Sequence, residues 1–395
     1  QYRPVSKNVC YNPQQRRCFS SSCWTADPET GLVYNDNNNN SNTPMFQIII
    51  GLEIHAQVTT PTKLFSPVAS NNKSKKKQKP NECVHPLDVA VPGWYPRVNK
   101  DAVRQTVLTA CALNCTIPPL SRFERKHYTY ADLPLGYQMT QQRWPIAKQG
   151  CIDYSWNNVP SSSSSNPNKH KKKKGKKQPQ KAQQGEDENN KMLRIDRIQL
   201  EQDTGKTTIT GNSSSTSMVD FNRAGCALME IVSEPDLRSS TQTIQCVETL
   251  RHLLLRLGTC NGKMEDGAFR VDLNINLQPM DDKKKRKRTS RVEVKNLNSL
   301  KQIQLAIDYE AKRQAQHYIS NNHDNDNNDD NKLEHCETRT FDILTGQTKL
   351  LRIKDDEQDY RFLPEPDLPP IVLQNDADYH ELFFGGGGTD NNNTS

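Results

Sequence analysis

The 395-residue sequence predicts an α+β fold built on an antiparallel-sheet cradle, and two kinds of periodicity carry that reading. Three stretches alternate apolar and ionisable residues with the period of two of a half-buried strand. Other stretches have the apolar spacing and capping residues of amphipathic helices. The two kinds are not regularly interleaved, so segregated layers are expected rather than a doubly wound parallel sheet.

In chain order, residues 1–45 read as a leader outside the core. Arg3, Lys7, Arg16 and Arg17 precede any acid, and Arg16-Arg17-Cys18-Phe19-Ser20-Ser21-Ser22 has the character of an organellar presequence. An Asn-rich run follows at 35–40. The expected compartment is the mitochondrion, in its matrix, with a plastid as the alternative. No apolar run is long enough to cross a membrane. Eleven cysteines, an odd number without a framework of spacings, fit a reducing compartment.

The folded core unit is expected over residues 46–375. Its first strand, Ile48-Ile49-Ile50-Gly51-Leu52-Glu53-Ile54-His55-Ala56-Gln57-Val58, sends Glu53, His55 and Gln57 to one face and Leu52, Ile54, Ala56 and Val58 to the other. Residues 101–114 read as a helix, with Cys111 and Cys115 four apart on it. Arg197, Gln199, Glu201 and Asp203 share a face opposite Ile198 and Leu200. Residues 240–257 repeat apolar groups at Ile244, Val247, Leu250, Leu254 and Leu257, with serine before them and Gly258 after. Arg270, Asp272, Asn274 and Asn276 alternate with Val271, Leu273, Ile275 and Leu277, and Arg291-Val292-Glu293-Val294-Lys295 repeats the pattern. Ser299 can cap a third helix running towards Tyr318. Disordered, low-complexity insertions are expected near 71–81, 159–191, 281–289 and 320–332, and 376–395 reads as a flexible tail. These segments dilute the hydrophobic fraction to 33%, yet the remainder is long enough for a substantial core.

The formal charge of +7 misleads. Three basic runs, at 73–79, 169–181 and 283–288, hold 19 of the 53 Lys and Arg residues, and two acidic runs hold 7 of the 46 acids, so 34 basic residues face 39 acidic ones elsewhere. The insertions set the basicity; they can attract RNA phosphates or simply be solvated loops.

A polar strand face is often nothing more than a solvated surface. Here it carries hard oxygen ligands in Glu53, Asp272 and Glu293, a further ligand candidate in His55, and Arg270 and Lys295 to face phosphate oxygens. Gathered carboxylates repel one another unless cations neutralise them. Mg2+ takes a few carboxylates and fills its other positions with water and phosphate, so the pattern reads as an ATP site, provided the three strands are neighbours. Gly205-Lys206-Thr207 imitates the end of a P-loop, but the required earlier glycine is Leu200, and the reading fails.

Several longer motifs stand beside the strands. Ile50-Gly51-Leu52-Glu53-Ile54-His55, Arg125-Lys126-His127-Tyr128-Thr129-Tyr130-Ala131-Asp132-Leu133-Pro134, Gly136-Tyr137-Gln138 and Asp220-Phe221-Asn222-Arg223-Ala224-Gly225 resemble the B subunit of the aspartyl/glutamyl-tRNA(Asn/Gln) amidotransferase, of the organellar type. So do Ile231-Val232-Ser233-Glu234-Pro235-Asp236, Val294-Lys295-Asn296-Leu297-Asn298-Ser299 and Asp359-Tyr360-Arg361-Phe362-Leu363-Pro364-Glu365-Pro366-Asp367-Leu368. The resemblance implies a cradle similar in fold to glutamine synthetase and the guanidino kinases. It also implies ATP-dependent phosphorylation of the glutamate side chain on misacylated Glu-tRNA(Gln), then displacement of phosphate by ammonia to give Gln-tRNA(Gln). Ammonia would come from an amidase partner, the A subunit, with a small C subunit bracing the assembly. Nothing in this sequence resembles a glutaminase.

Carried over by position, the catalytic candidates are Glu53, His55, Glu201 and Lys295, the ATP-binding candidates Arg270 and Lys295, and the metal candidates Glu53, His55, Asp272 and Glu293. Two departures stand out. Gln202 replaces a carboxylate of bacterial members, as mitochondrial members also show, and strand alternation turns it away from Glu201. The Cys-x-x-Cys pair of some members is reduced to Cys83-Val84-His85, half a tetrahedral zinc site at most and otherwise a surface loop. The family usually continues into a helical region and a tail domain that helps grip tRNA, and this sequence does not include them: either it is a fragment or it borrows tRNA affinity from partners or basic loops, and in both cases weak tRNA binding by the chain alone is expected. Two rival readings are a tRNA-independent carboxylate-amine ligase and a non-catalytic RNA-binding scaffold.

Overall fold

The computed structural model describes residues 24–36, 43–70, 79–154, 191–210, 216–280, 288–323, 336–354 and 361–384. In chain order the elements are β1 (Trp24–Ala26), β2 (Leu32–Asn35), β3 (Phe46–Gln57), α1 (Lys100–Ala112), β4 (Leu120–Ser121), β5 (Glu124–His127), β6 (Tyr137–Thr140), β7 (Ala147–Asp153), β8 (Met192–Gln202), β9 (Lys206–Thr210) and β10 (Thr216–Asp220). There follow β11 (Ala227–Ser233), α2 (Ser240–Leu257), β12 (Phe269–Pro279), β13 (Val292–Leu297), α3 (Leu300–His323), β14 (Cys336–Asp342), β15 (Gln347–Lys354), β16 (Leu363–Pro364), β17 (Ile371–Val372) and α4 (Asp376–Phe384).

Ten strands form one mixed, mostly antiparallel sheet in the order β15-β14-β13-β12-β3-β11-β8-β7, with the β1–β2 hairpin joined to β3. The fold is thus α+β, as the periodicities predict. Among the described residues the one parallel pair, β13 with β14, is connected through α3, because parallel neighbours need a crossover.

Alternation decides the two faces. On β3, Phe46, Ile48, Ile50, Leu52, Ile54 and Ala56 are buried, and helices α1, α2 and α3 pack over this side of the sheet with Val107, Leu250, Ile303 and Ile307 in the core. Glu53, His55 and Gln57 face the other way and are half-buried. The helices begin where their caps predict: Ser239 Oγ accepts from Gln242 N–H at 3.2 Å and Ser299 Oγ from Gln302 N–H at 3.2 Å. Gly258 ends α2 at φ +71°.

Four expectations need correction. The segment 1–45 is not wholly outside the core, because β1 and β2 extend the sheet, and Trp24, 2% exposed, packs against Phe46 with ring centroids 5.9 Å apart. Their few apolar residues are hidden in sequence by the Arg/Ser-rich and Asn-rich stretches on either side. The segment 376–395 is not wholly a tail, because α4 occupies Asp376–Phe384 and sets Tyr379, Leu382 and Phe383 against the core; residues 385–395 lie outside the described ones. Cys111 is exposed and Cys115 lies beyond the end of α1, so neither is a buried helical thiol.

The fourth concerns the insertions, whose edges are structured. Asn81 donates through its backbone N–H to Asp220 Oδ1 at 3.0 Å. Thr289 Oγ1 donates to Gln314 Oε1 at 2.7 Å, and α3 runs on to His323. The interiors, 71–78, 155–190, 281–287 and 324–335, lie outside the described residues.

One lysine is wholly enclosed. Lys63 Nζ donates to Asp88 Oδ2 at 2.7 Å and to the Cys83 carbonyl at 2.7 Å, fastening the 79–95 loop to the strand ends. His85, the other half of the Cys83-x-His85 pair, caps the 3-10 turn Pro86–Val89 by accepting from Leu87 N–H through Nδ1 at 3.2 Å. It serves as a cap for this loop. Gly225 completes the contact: its φ is +79°, and a Cβ there would lie 2.4 Å from Asp88 Oδ1. Gly225→Ala is therefore expected to cost about 2–4 kcal/mol, the sum of left-handed strain and a forced shift of the ion pair. Chemical denaturation measures this, and an unchanged midpoint would contradict it.

Candidate functional site

Sheet order answers the question the sequence left open. Strands β13, β12, β3, β11 and β8 are consecutive neighbours, and their registers set Asp272 opposite Glu53, Arg270 and Glu230 on either side of His55, and Gln199 opposite Glu230. Directly opposed residues in antiparallel strands have Cβ atoms about 5 Å apart, so acids far apart in sequence meet. They line a cavity of about 600 Å³ on the face away from the helices.

The four metal candidates separate into two clusters. Glu53, Asp272 and Glu293 each offer an oxygen within 4.8 Å of the others, and a ring nitrogen of His55 lies equally close to oxygens of Glu201 and Glu230 on the neighbouring strands. His55 thus belongs with Glu201, its Nε2 lying 3.9 Å from Glu201 Oε1. Glu230 is the principal residue that sequence reading missed. In Ala227-Leu228-Met229-Glu230-Ile231-Val232 it is one acid in an apolar strand, a signal that becomes specific only once His55 is seen beside it.

Charge repulsion is visible in the proton affinities. Burial, then the neighbouring Glu230 carboxylate, pushes Glu201 up to about 7. Burial, again followed by Glu230, raises Glu53. Glu230 itself is lowered: burial acts to raise it but is outweighed by His55, Lys126, Arg197 and Lys295. Lys295 Nζ lies 3.0 Å from Asp272 Oδ2 and also contacts Glu293 Oε1, and these acids outweigh burial to hold its ammonium protonated.

Arg270 lines the cavity, but its Nη2 lies 3.2 Å from Asp203 Oδ1, so it reaches any phosphate as one end of an ion pair. Lys126, Arg197, Arg223 and Arg352 complete a cationic wall. Gln202 instead lines a small space near Phe65 and Leu87 on the opposite side of β8, as alternation predicts.

The remaining long motifs build the outer wall. Arg125 makes paired bonds of 2.7 Å through Nε and Nη2 to the Glu365 carboxylate and stacks 4.4 Å above the Tyr137 ring. His127 Nδ1 is 2.7 Å from the Arg361 carbonyl. Strand β16 thereby sits beside β5 and β6, bringing Phe362 to the rim.

Acids at the floor and cations at the wall define a class: sheet proteins with a charged cavity of both signs on the face away from the helices. Residues 48–378 match the family described as the GatB/GatE catalytic domain, and the chain belongs to that family. It is 40% identical over 360 residues to the B subunit of a mitochondrial glutamyl-tRNA(Gln) amidotransferase of Phytophthora infestans, covering 83% of this chain and 61% of that one. The B subunit of the aspartyl/glutamyl-tRNA(Asn/Gln) amidotransferase of Ehrlichia canis is 39% identical over 328 residues, 83% of this chain and 58% of its own. The B subunit of a chloroplastic/mitochondrial glutamyl-tRNA(Gln) amidotransferase of Ostreococcus tauri is 37% identical over 362 residues, 88% and 61% respectively. The chain spans about three fifths of the length of these relatives.

Proposed function

We propose that this chain is the catalytic cradle in the B subunit of an organellar tRNA-dependent amidotransferase, which activates the side-chain carboxylate of Glu-tRNA(Gln) with ATP and converts it to Gln-tRNA(Gln). The observation that carries the reading is the Glu53–Asp272–Glu293 cluster, three hard oxygen donors within reach of one cation, with Lys295 contacting two of them. The donor set fits Mg2+, which supplies charge neutralisation at the ATP phosphates when bound. The His55–Glu201–Glu230 cluster lies beside it, available to a second cation or to the amine.

In this reading the substrate carboxylate attacks the γ-phosphorus, the bond to ADP breaks, and an acyl phosphate replaces a carboxylate that has no usable leaving group. Ammonia then attacks the acyl carbon, phosphate departs, and the nitrogen gives up a proton. Lys295 and Arg270 steady the phosphate oxygens, and positioning supplies most of the acceleration. The reading includes an amidase A subunit supplying the ammonia, a small C subunit, and a location in the mitochondrial matrix or a plastid; the mitochondrial and chloroplastic/mitochondrial names among the relatives support the organelle. Any presequence lies before Trp24, outside the described residues. The sheet is read as a cradle similar to that of glutamine synthetase and the guanidino kinases. No described helix is long and apolar enough to cross a membrane.

The test is conversion of Glu-tRNA(Gln) by the chain assembled with its amidase and small partner subunits, given ATP, Mg2+ and free ammonia. Gln-tRNA(Gln) formed in step with ADP supports the proposal. Amide formation on free glutamate without tRNA would instead make the protein a carboxylate-amine ligase. An intact complex that binds no ATP would leave only a scaffold role.

A further inference from the structure

The acids of the two clusters share a bonding pattern that their own chemistry does not require. Each has one oxygen held by an uncharged donor. Asn274 Nδ2 donates to Glu53 Oε1 at 2.8 Å, the Asn296 backbone N–H to Asp272 Oδ1 at 2.9 Å, and Thr338 Oγ1 to Glu293 Oε2 at 3.2 Å. In the second cluster, Thr140 Oγ1 donates to Glu201 Oε2 at 3.2 Å and Gln199 Nε2 to Glu230 Oε2 at 2.7 Å. Where a cationic side chain approaches, it takes the other oxygen: Lys295 meets Asp272 Oδ2 and Glu293 Oε1, and His55 faces Glu201 Oε1.

We propose that Asn274, Thr338, Thr140 and Gln199 are positioning residues that lock one oxygen of Glu53, Glu293, Glu201 and Glu230 so that the second is aimed at a divalent cation, which shares it with Lys295 or His55 where these reach it. This rests on the cation-dependent reading above. A terminal carboxylate torsion is broad and soft, so an acid left to itself rotates about its last bond. A further charged donor would stop the rotation but would cancel more of the charge that Lys295 already offsets at Asp272 and Glu293. A neutral amide or hydroxyl stops the rotation and leaves the charge in place.

The fold supplies each donor by a separate device. Asn274 pairs in register with Gly51, which has no side chain, so its amide is free to lean diagonally onto Glu53, opposite Asp272. Thr338 is the register partner of Glu293 across the parallel β13–β14 pair and is 2% exposed. Gln199 pairs with Glu230 across β8 and β11, and Thr140 reaches Glu201 from β6. Asn296, at φ +64°, stands where two residues of β13 oppose Asp272 alone, a bulge that turns its N–H towards that acid.

The test uses the full chain and Mn2+ in place of Mg2+, with free Mn2+ read by electron paramagnetic resonance. Wild type is expected to bind Mn2+. Thr338→Val, which keeps the shape and removes the donor, should weaken binding by about tenfold or more, and Thr338→Ser should restore it. Asn274→Ala, at a half-exposed position, should weaken binding similarly and covers the case in which Thr338→Val fails to fold. In the assembled enzyme both variants should raise the Mg2+ concentration needed for half-maximal rate while leaving the KM for tRNA unchanged. Valine and alanine variants that bind Mn2+ as wild type does would overturn the positioning role while leaving the cation site standing. Absence of Mn2+ binding by wild type would overturn the underlying reading and this inference with it.

Discussion

Replacing Glu53 by glutamine is expected to abolish tRNA-dependent amide formation while making the protein more stable. The amide keeps the shape of the side chain and can still accept the Asn274 bond, so the fold has nothing to lose sterically. What disappears is a buried negative charge that burial and the nearby Glu230 and Glu293 carboxylates all disfavour. Lys295 retains Asp272 and Glu293 as partners. Removing repulsion of this kind is worth about 1 kcal/mol of stability. The loss of a charged ligand at the point where phosphate charge is handled is expected to lower the rate about 10³-fold. Initial rates at saturating ATP and thermal unfolding without divalent cations check the two halves. A variant within tenfold of wild type would remove Glu53 from the chemistry, and a fall in melting temperature of several degrees would make it a structural residue.

The second large effect lies away from the cavity. Lys63→Met is expected to destabilise the protein by about 3–5 kcal/mol, because it leaves Asp88 charged, enclosed and without its cation. Only the His85 N–H, at 2.9 Å from Asp88 Oδ2, and the geometry of the loop would remain to support that carboxylate. For a domain of this size the loss lowers the melting temperature by roughly 10 °C. Adding Asp88→Asn should return part of it, since the orphaned charge goes too. A Lys63→Met melting curve that superimposes on wild type would show that the pair contributes nothing beyond its own desolvation cost.

These two residues mark the limits of what the chain discloses before it folds. Glu53 sits in a stretch that alternates from Leu52 to Val58, and Asp272 and Glu293 sit in similar stretches, so the cradle's first cluster was legible from a period of two. The helices were legible because Ser239, Gly258 and Ser299 punctuate them. Lys63, in Pro61-Thr62-Lys63-Leu64-Phe65, looks like an ordinary loop lysine, and only tertiary packing encloses it. Glu230 and Thr338 were hidden for a different reason. Their importance is a matter of register, and register is a relation between strands that no single strand encodes. Strands β1 and β2 are too short to outweigh the composition of their flanks, and α4 lies next to a glycine run that reads as tail.

The placement of β3 has a consequence for how the molecule comes into being. It is the centre of the main sheet, yet its two long partners, β11 and β12, leave the ribosome much later. At about 5–20 residues per second, the roughly 220 residues from Glu53 to Asp272 take on the order of 10–40 s to synthesise. During that interval the apolar run Ile48-Ile49-Ile50 has the short β2 strand beside its start, while the edges that β11 and β12 will cover stay open, the situation in which chains stick to one another. The arrangement that unites acids from both ends of the sequence therefore leaves the centre of the sheet partly open until late in synthesis.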